Sequence, residues 1–187
     1  ETATYLAGVD EVGRGCIFGP VIAAAVILGK YQNPELKDSK KLSPKKRIQL
    51  CNDIRRGASK VSIGEASVEE IDNLNIKEAS LLAMKRAILG LKKNNIEIIV
   101  DGIHTPKINY PCKAIIKADD KISEVMAASI VAKVYRDNLM IDFGRKFPDF
   151  SLEKNKGYPT KEHLNILKSL GPTKYHRKTF KPVLNAR

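Results

Sequence analysis

The chain has 187 residues, enough to bury a sizeable core, and its 43% hydrophobic content is that of a globular protein rather than a disordered one. No apolar run approaches the ~20 residues of a membrane-spanning helix, and residues 1–9 lack the basic start and long apolar stretch of a secretory signal. A formal net charge of +12 points instead to a polyanionic partner.

In chain order, Tyr5–Asp10 and Val21–Leu28 read as two apolar strands around a glycine-rich bend, with Gly19-Pro20 restarting the chain. DSKKLSPKKR, residues 38–47, reads as a basic loop and helix start, Ser43 being the N-cap and Pro44 the first helical residue. Ile48, Cys51 and Ile54 are expected to form that helix's buried stripe. Lys60–Ala66 suggests a third strand, and Ser67 to Glu70 has capping-box spacing for a short helix. Lys77–Leu91 is helical, with Leu81, Met84, Ile88 and Leu91 on one face. Ile96–Val100 and Ala114–Ile116 are short strands. Ile122 to about Phe143 is a long helix with Met126, Ile130 and Val134 inside, and Thr160 caps a last helix that Gly171-Pro172 ends. Strands first, then strands alternating with helices, predict an α/β fold built on a mixed sheet with helices on its faces.

Neither a repeat nor a linker interrupts the chain, so residues 1–187 are expected to form one domain. Residues 151–187 hold nine Lys or Arg against two Glu, which marks a basic helical C-terminal part suited to a polyanion. Three unpaired cysteines, Cys16, Cys51 and Cys112, argue against a disulfide framework and for a reducing, cytoplasmic setting. Cys16 reads as a small buried thiol, because neither His nor Asn stands near it in sequence. His104, His163 and His176 receive no role, and His104 reads as a surface-loop residue.

The acids form a pattern on this map. Asp10 and Glu11 end the first strand, Asp101 ends the IEIIV strand, and Asp119 follows AIIK. In open α/β sheets, ligands bind outside the carboxyl ends of the strands. A single strand-end Asp is ordinarily a turn residue, but three such ends on neighbouring strands would bring mutually repelling carboxylates together. Hard divalent cations such as Mg²⁺ or Mn²⁺ resolve that conflict with oxygen ligands alone. An acidic metal centre within a basic surface fits phosphodiester hydrolysis by two ions roughly 3.5–4 Å apart. Gly13-Arg14-Gly15 lacks the Walker lysine, yet two residues without Cβ allow close backbone approach to a sugar-phosphate. A ribose 2′-OH is the group such a contact could read.

GVDEVGRGCIFGPVIAAAVIL, residues 8–28, strongly resembles the opening of ribonuclease HII, the type 2 ribonuclease H. The resemblance continues through DSKKLS at 38–43, DNLNIKEAS at 72–80, VDGIH at 100–104, KADDKISEVMAASIVAKVYRD at 117–137 and KGYPTKEHL at 156–164. It implies a ribonuclease H-like fold with a small helical C-terminal part. It also implies hydrolysis of the RNA strand of RNA–DNA hybrids, and cutting at single ribonucleotides in duplex DNA, to leave 3′-hydroxyl and 5′-phosphate ends. The family's metal-binding acids fall on Asp10, Glu11, Asp101 and Asp119, with Asp120 the alternative for the last. The 2′-OH-reading module falls on Gly13, Arg14 and Gly15, the stacking tyrosine on Tyr158, and the phosphate-contacting segment on Ser39 and Lys40. The arginine between the glycines favours type HII over ribonuclease HIII.

A monomer is expected. The tail after Phe180 holds no convincing sliding-clamp peptide. Two rival readings stay open at this stage: another metal-dependent nuclease or recombinase of the same fold, and a non-catalytic nucleic-acid-binding module.

Overall fold

The computed structural model describes residues 4–186. Five strands form one sheet in the order β3-β2-β1-β4-β5. They are β1 (Tyr5–Val12), β2 (Val21–Ile27), β3 (Lys60–Ala66), β4 (Ile96–Asp101) and β5 (Cys112–Ile115). The pairs β1–β2 and β2–β3 are antiparallel, whereas β1–β4 and β4–β5 are parallel, so the sheet is mixed. All seven residues of β2 are buried, as expected for a central strand covered on both faces.

Helices cover both faces. On one side, α3 (Ile76–Gly90) packs Ala79, Ala83, Met84, Ala87 and Ile88 against Ala7, Val9, Ile98 and Val100. On the other, α4 (Ser123–Lys146) and α1 (Pro44–Gly57) meet Ile22, Ala24 and Val26. Between α3 and β3 runs the short helix α2 (Val68–Leu74), whose expected capping box is present: Ser67 Oγ accepts from the Glu70 amide and Glu70 Oε1 from the Ser67 amide. A third apolar cluster, built on Ile17, Phe18, Met140, Phe150, Leu152, Leu167 and Val183, ties the C-terminal segment to the end of α4 and the loop after β1. That segment carries α5 (Leu152–Asn155), α6 (Lys161–Leu170) and α7 (Lys181–Leu184).

Several boundaries depart from the sequence reading. β1 runs on to Val12, so Asp10 and Glu11 lie inside its last turn of pleat rather than ending it. Ile48 is 46% exposed, and the buried stripe of α1 is Leu50, Cys51 and Ile54. The expected strand at Ala114–Ile116 is shifted toward the N-terminus, leaving Ile116 exposed. Residues 38–41, read as part of a basic loop, belong to a 3₁₀ segment, Pro34–Lys41, capped by Asn33.

The sheet and α4 touch backbone to backbone where the site begins. A Cβ at Gly8 would stand 2.2 Å from the carbonyl carbon of Glu124 and 2.3 Å from the Val125 nitrogen. Gly8→Ala must therefore push the start of α4 off the sheet, and is expected to cost about 3 kcal/mol of stability in chemical denaturation. A variant as stable as the parent would contradict this packing.

Candidate active site

Parallel pairing of β1 with β4 puts Val9 opposite Val100, so the next residues, Asp10 and Asp101, stand side by side at the carboxyl ends. Strand alternation sends Val9 and Val100 into the α3-side core, leaving Asp10 and Asp101 to project from the opposite face. Asp119 arrives from the short 3₁₀ turn Ala118–Asp120, which the left-handed Lys117 (φ 54°) introduces after β5. Asp10, Asp101 and Asp119 each offer a carboxylate oxygen, and these oxygens all lie within 4.8 Å of one another. The convergence expected from three strand ends is present.

The electrostatics of this triad are unfavourable without a cation. Burial, followed by the charge of Glu11, raises the Asp10 carboxyl well above the ordinary carboxylate value. Asp101 is also raised, first by burial and then by the Asp119 charge, against the opposing pull of the Ala118 and Asp119 amides. Among the described residues, the buried Asp101 Oδ1 has no hydrogen-bond partner. An orphaned buried oxygen within a hard, all-carboxylate donor set fits a divalent cation.

Glu11 stands beside this triad rather than in it: its Oε1 lies 3.7 Å from Arg14 Nη1, and its amide donates to Asp10 Oδ1 at 2.8 Å. Glu11 also lines a cleft of about 240 Å³ with Ser39, Lys40, Ser129 and Lys133. Lys40 Nζ lies 2.8 Å from Asp119 Oδ2 and pairs with Asp120 as well. These contacts, Asp119 foremost, hold the Lys40 ammonium above its usual pKa, while Lys40 pulls Asp120 down. The lysine side chain is 58% exposed, so the pair is a local charge match with little effect on stability.

Gly13-Arg14-Gly15 forms the turn after β1. Gly13 has φ 92°, and a Cβ there would stand 2.2 Å from Arg136 Nε, so both conformation and space require glycine. Arg14 and Gly15 are exposed, and among the described residues their N–H groups donate to no protein acceptor. Tyr158 stands next to this turn: its Cε1 would be 3.8 Å from a Cβ on Gly15, and 38% of the residue is exposed. Cys16 behind them is fully buried, and burial raises its thiol pKa, in keeping with a packing role.

Two residues that carry this turn are absent from the sequence reading. Arg177, counted there only as one of the nine cations of the basic C-terminal part, is completely buried. Its guanidinium donates to the carbonyls of Gly13 (2.8 Å), Arg14 (3.1 Å), Cys16 (2.6 Å) and Gly19 (2.9 Å). Arg136 of α4 donates to Phe18, Pro20 and Lys156 carbonyls at 2.6–3.2 Å. No local pattern distinguishes Arg177 from the other cations of its basic run. His163 and His176 are likewise fully buried, whereas His104 is exposed as expected.

Comparison with known proteins agrees with this architecture. The family model for Ribonuclease HII matches residues 7–183. Ribonuclease HII of Acaryochloris marina (strain MBIC 11017) is 46% identical over 188 residues, covering 97% of this chain and 95% of that protein. The ribonuclease H2 structure from Pyrococcus horikoshii OT3 superposes with a TM-score of 0.82 at 26% identity, over 98% of this chain and 97% of that one. The RNase HII of Archaeoglobus fulgidus, solved in complex with PCNA, gives 0.78 at 29% identity and 95% coverage of each chain. Among the described residues, no helix is long and apolar enough to cross a membrane. With matches that span nearly the whole chain in sequence and in fold, the chain belongs to the ribonuclease HII family, hydrolases that act on the RNA of RNA–DNA hybrids.

Proposed function

We propose that this ribonuclease cuts the RNA strand of RNA–DNA hybrids endonucleolytically and also cuts at single ribonucleotides embedded in duplex DNA, working as a cytoplasmic monomer. The observation that carries the reading is the meeting of Asp10, Asp101 and Asp119 oxygens within 4.8 Å, next to the glycine-arginine-glycine turn whose exposed Arg14 and Gly15 amides donate to no acceptor among the described residues. Asp10, Asp101 and Asp119 would hold Mg²⁺ or Mn²⁺, with Glu11 completing the second of two sites. Bound divalent ions would supply an activated water and neutralise charge on the leaving 3′-oxygen, giving 3′-hydroxyl and 5′-phosphate ends.

The chain's own residues do the recognition. Gly13, Arg14 and Gly15 present backbone to the ribose 2′-OH, and Arg14 can turn its guanidinium from Glu11 to a phosphate. Ser39 and Lys40 border the cleft beside Glu11, where a phosphate would replace the carboxylates as the lysine's partner. Tyr158 offers an exposed ring for the deoxyribose that follows the ribonucleotide. Residues 151–187 supply the basic flank of the groove. A sliding-clamp partner enters through the Archaeoglobus fulgidus relative; here the segment after Phe180 forms α7 and buries Val183 in the third cluster.

The test is duplex DNA carrying one ribonucleotide, with an all-DNA control, in the presence and absence of Mg²⁺ or Mn²⁺. Cutting is expected only with both the metal and the ribonucleotide; cutting of the control would favour a less selective nuclease of this fold. Tyr158→Ala removes a contact worth ~1–3 kcal/mol, so it should slow single-ribonucleotide cutting about tenfold or more while sparing uniform hybrids. Equal losses on both substrates would remove Tyr158 from the junction-reading role.

A further inference from the structure

We infer that the buried pair His163–His176 is a positioning relay, held in one tautomeric arrangement, that fixes Tyr158 against the glycine-arginine-glycine turn. The inference rests on the substrate role proposed for Tyr158.

The hydrogen bonds leave one consistent assignment. The Thr173 amide donates to His176 Nδ1 at 3.0 Å, so that nitrogen carries no proton and His176 Nε2 does. His176 Nε2 lies 3.1 Å from His163 Nε2, which must then accept, placing the His163 proton on Nδ1. His163 Nδ1 in turn lies 2.9 Å from the Tyr158 carbonyl, which accepts. All four ring nitrogens are satisfied with both rings neutral, and an added proton would set one N–H against another. Burial lowers both imidazoles, and His176 is pushed down to about 3, first by burial and then by its neighbour.

The two ends of the relay belong to different recognition segments. His176 sits on the stretch that grips the turn after β1: Phe18 and His176 form a β-bridge, the Gly19 amide donates to Tyr175 O at 2.9 Å, and the Arg177 amide donates to Ile17 O at 2.8 Å. His163 lies on α6, in the first turn after its Thr160 cap, and reaches back to the carbonyl of Tyr158. Phe18 and Phe150 flank the His176 ring at 5.0 and 4.9 Å between centroids, and both imidazoles are fully buried. Apolar side chains could fill this space more simply. What the imidazoles add is a directional link from the turn's support to the backbone of the tyrosine.

Two amide replacements separate the ends of His163. His163→Asn keeps a donor near the Nδ1 position, within reach of Tyr158, whereas His163→Gln keeps a group near Nε2, facing His176, and loses the tyrosine. The full chain is assayed on single-ribonucleotide duplex and on uniform hybrid. His163→Gln is expected to lower the ratio of the two rates roughly tenfold, as misplacement of a contact group does, and His163→Asn to restore most of it. In a Tyr158→Ala background, His163→Gln should change the ratio no further.

Nitrogen-15 imidazole spectra of the unmodified protein at neutral pH provide a readout that needs no variant. They should show His163 protonated at Nδ1 and His176 at Nε2. Any other tautomer pair, or equal rate losses on both substrates in the Gln and Asn variants, would overturn the relay. If Tyr158→Ala itself left the ratio unchanged, the substrate role of Tyr158 would fall, and the positioning function with it. A selective Tyr158→Ala beside unselective His163 variants would sink the relay alone.

Discussion

Replacing Asp10 with asparagine is expected to abolish hydrolysis while making the metal-free protein harder to unfold. Asp10 is 5% exposed and shares a few ångströms with the Asp101 and Asp119 carboxylates. Its folded pKa is raised, so the metal-free fold binds its proton more tightly than the unfolded chain does. The associated stability is present below the unfolded value of 3.8 and is lost as pH rises through the folded value. At neutral pH the carboxylate is thus a liability that asparagine removes, and each kcal/mol gained raises the melting point of a chain this long by about 2–4 °C.

Removal of the same charge takes away a ligand where charge must be balanced during phosphate cleavage. A rate loss of about 10³-fold or more, near 4 kcal/mol of barrier, is expected on hybrid substrate at saturating Mg²⁺. Melting in EDTA and then in Mg²⁺ checks the other half. The parent should gain several degrees on adding Mg²⁺, by mass action on the folded state, and Asp10→Asn should start higher and gain less. Asp120→Asn is the control: that carboxylate is exposed and, among the described residues, pairs with Lys40 alone, so the rate should stay close to the parent's. A metal-free Asp10→Asn protein less stable than the parent would refute the charge crowding. Loss of activity in Asp120→Asn would move the fourth acid by one residue.

The acids were legible in the sequence because each follows a short apolar run, which places it near the carboxyl end of a strand, although β1 continues through Asp10 and Glu11 to Val12. That three strands would be neighbours was a matter of topology: β1 lies between β2 and β4, and only its parallel register with β4 sets Asp10 beside Asp101. Helix positions were also legible, but their buried faces less so. In α3 the expected face included Leu81, whereas the sheet meets Ala79, Ala83 and Ala87, because Gly64 of β3 lies so close that its Cβ would stand 2.1 Å from Ala83 O. Small residues are chosen there for backbone approach, which hydrophobic spacing does not record. The support beneath the recognition turn was illegible for a similar reason. In TKYHRKTF, His176 and Arg177 sit among lysines and look like surface; Arg177 is gripped by carbonyls about 160 positions away, and His176 is enclosed by Phe18, Phe150 and His163.

Arg177→Met is expected to produce the largest loss of stability of any change outside the three apolar clusters, and to blunt discrimination by the turn. Burial pushes the Arg177 guanidinium down to about 10, which still leaves it cationic at neutral pH. Among the described residues neither Arg177 nor Arg136 forms an ion pair, so backbone carbonyls, with the Phe180 ring 5.2 Å from the Arg177 guanidinium, solvate two buried charges. Methionine fills much the same volume but leaves the carbonyls of Gly13, Arg14, Cys16 and Gly19 without their donor. At ~1–3 kcal/mol for each buried group left unpaired, partly offset by relaxation and by no longer burying a charge, the net cost should be about 3–5 kcal/mol. That corresponds to a melting point lower by roughly 10 °C.

The consequence for selectivity follows from direction. Inward hydrogen bonds hold the carbonyls of Gly13 and Arg14 toward Arg177, which leaves the amides of Arg14 and Gly15 available at the surface. Without the guanidinium, those peptide planes are free to rotate. Below its melting transition, Arg177→Met should therefore lose more rate on a single ribonucleotide, where one 2′-OH must be found, than on a uniform hybrid, where neighbouring registers offer another. Arg177→Lys, which keeps the charge but cannot fork onto four carbonyls, should lie close to Met. Recovery of the parent's stability by lysine would show that buried charge, rather than the shape of the donor set, holds the turn.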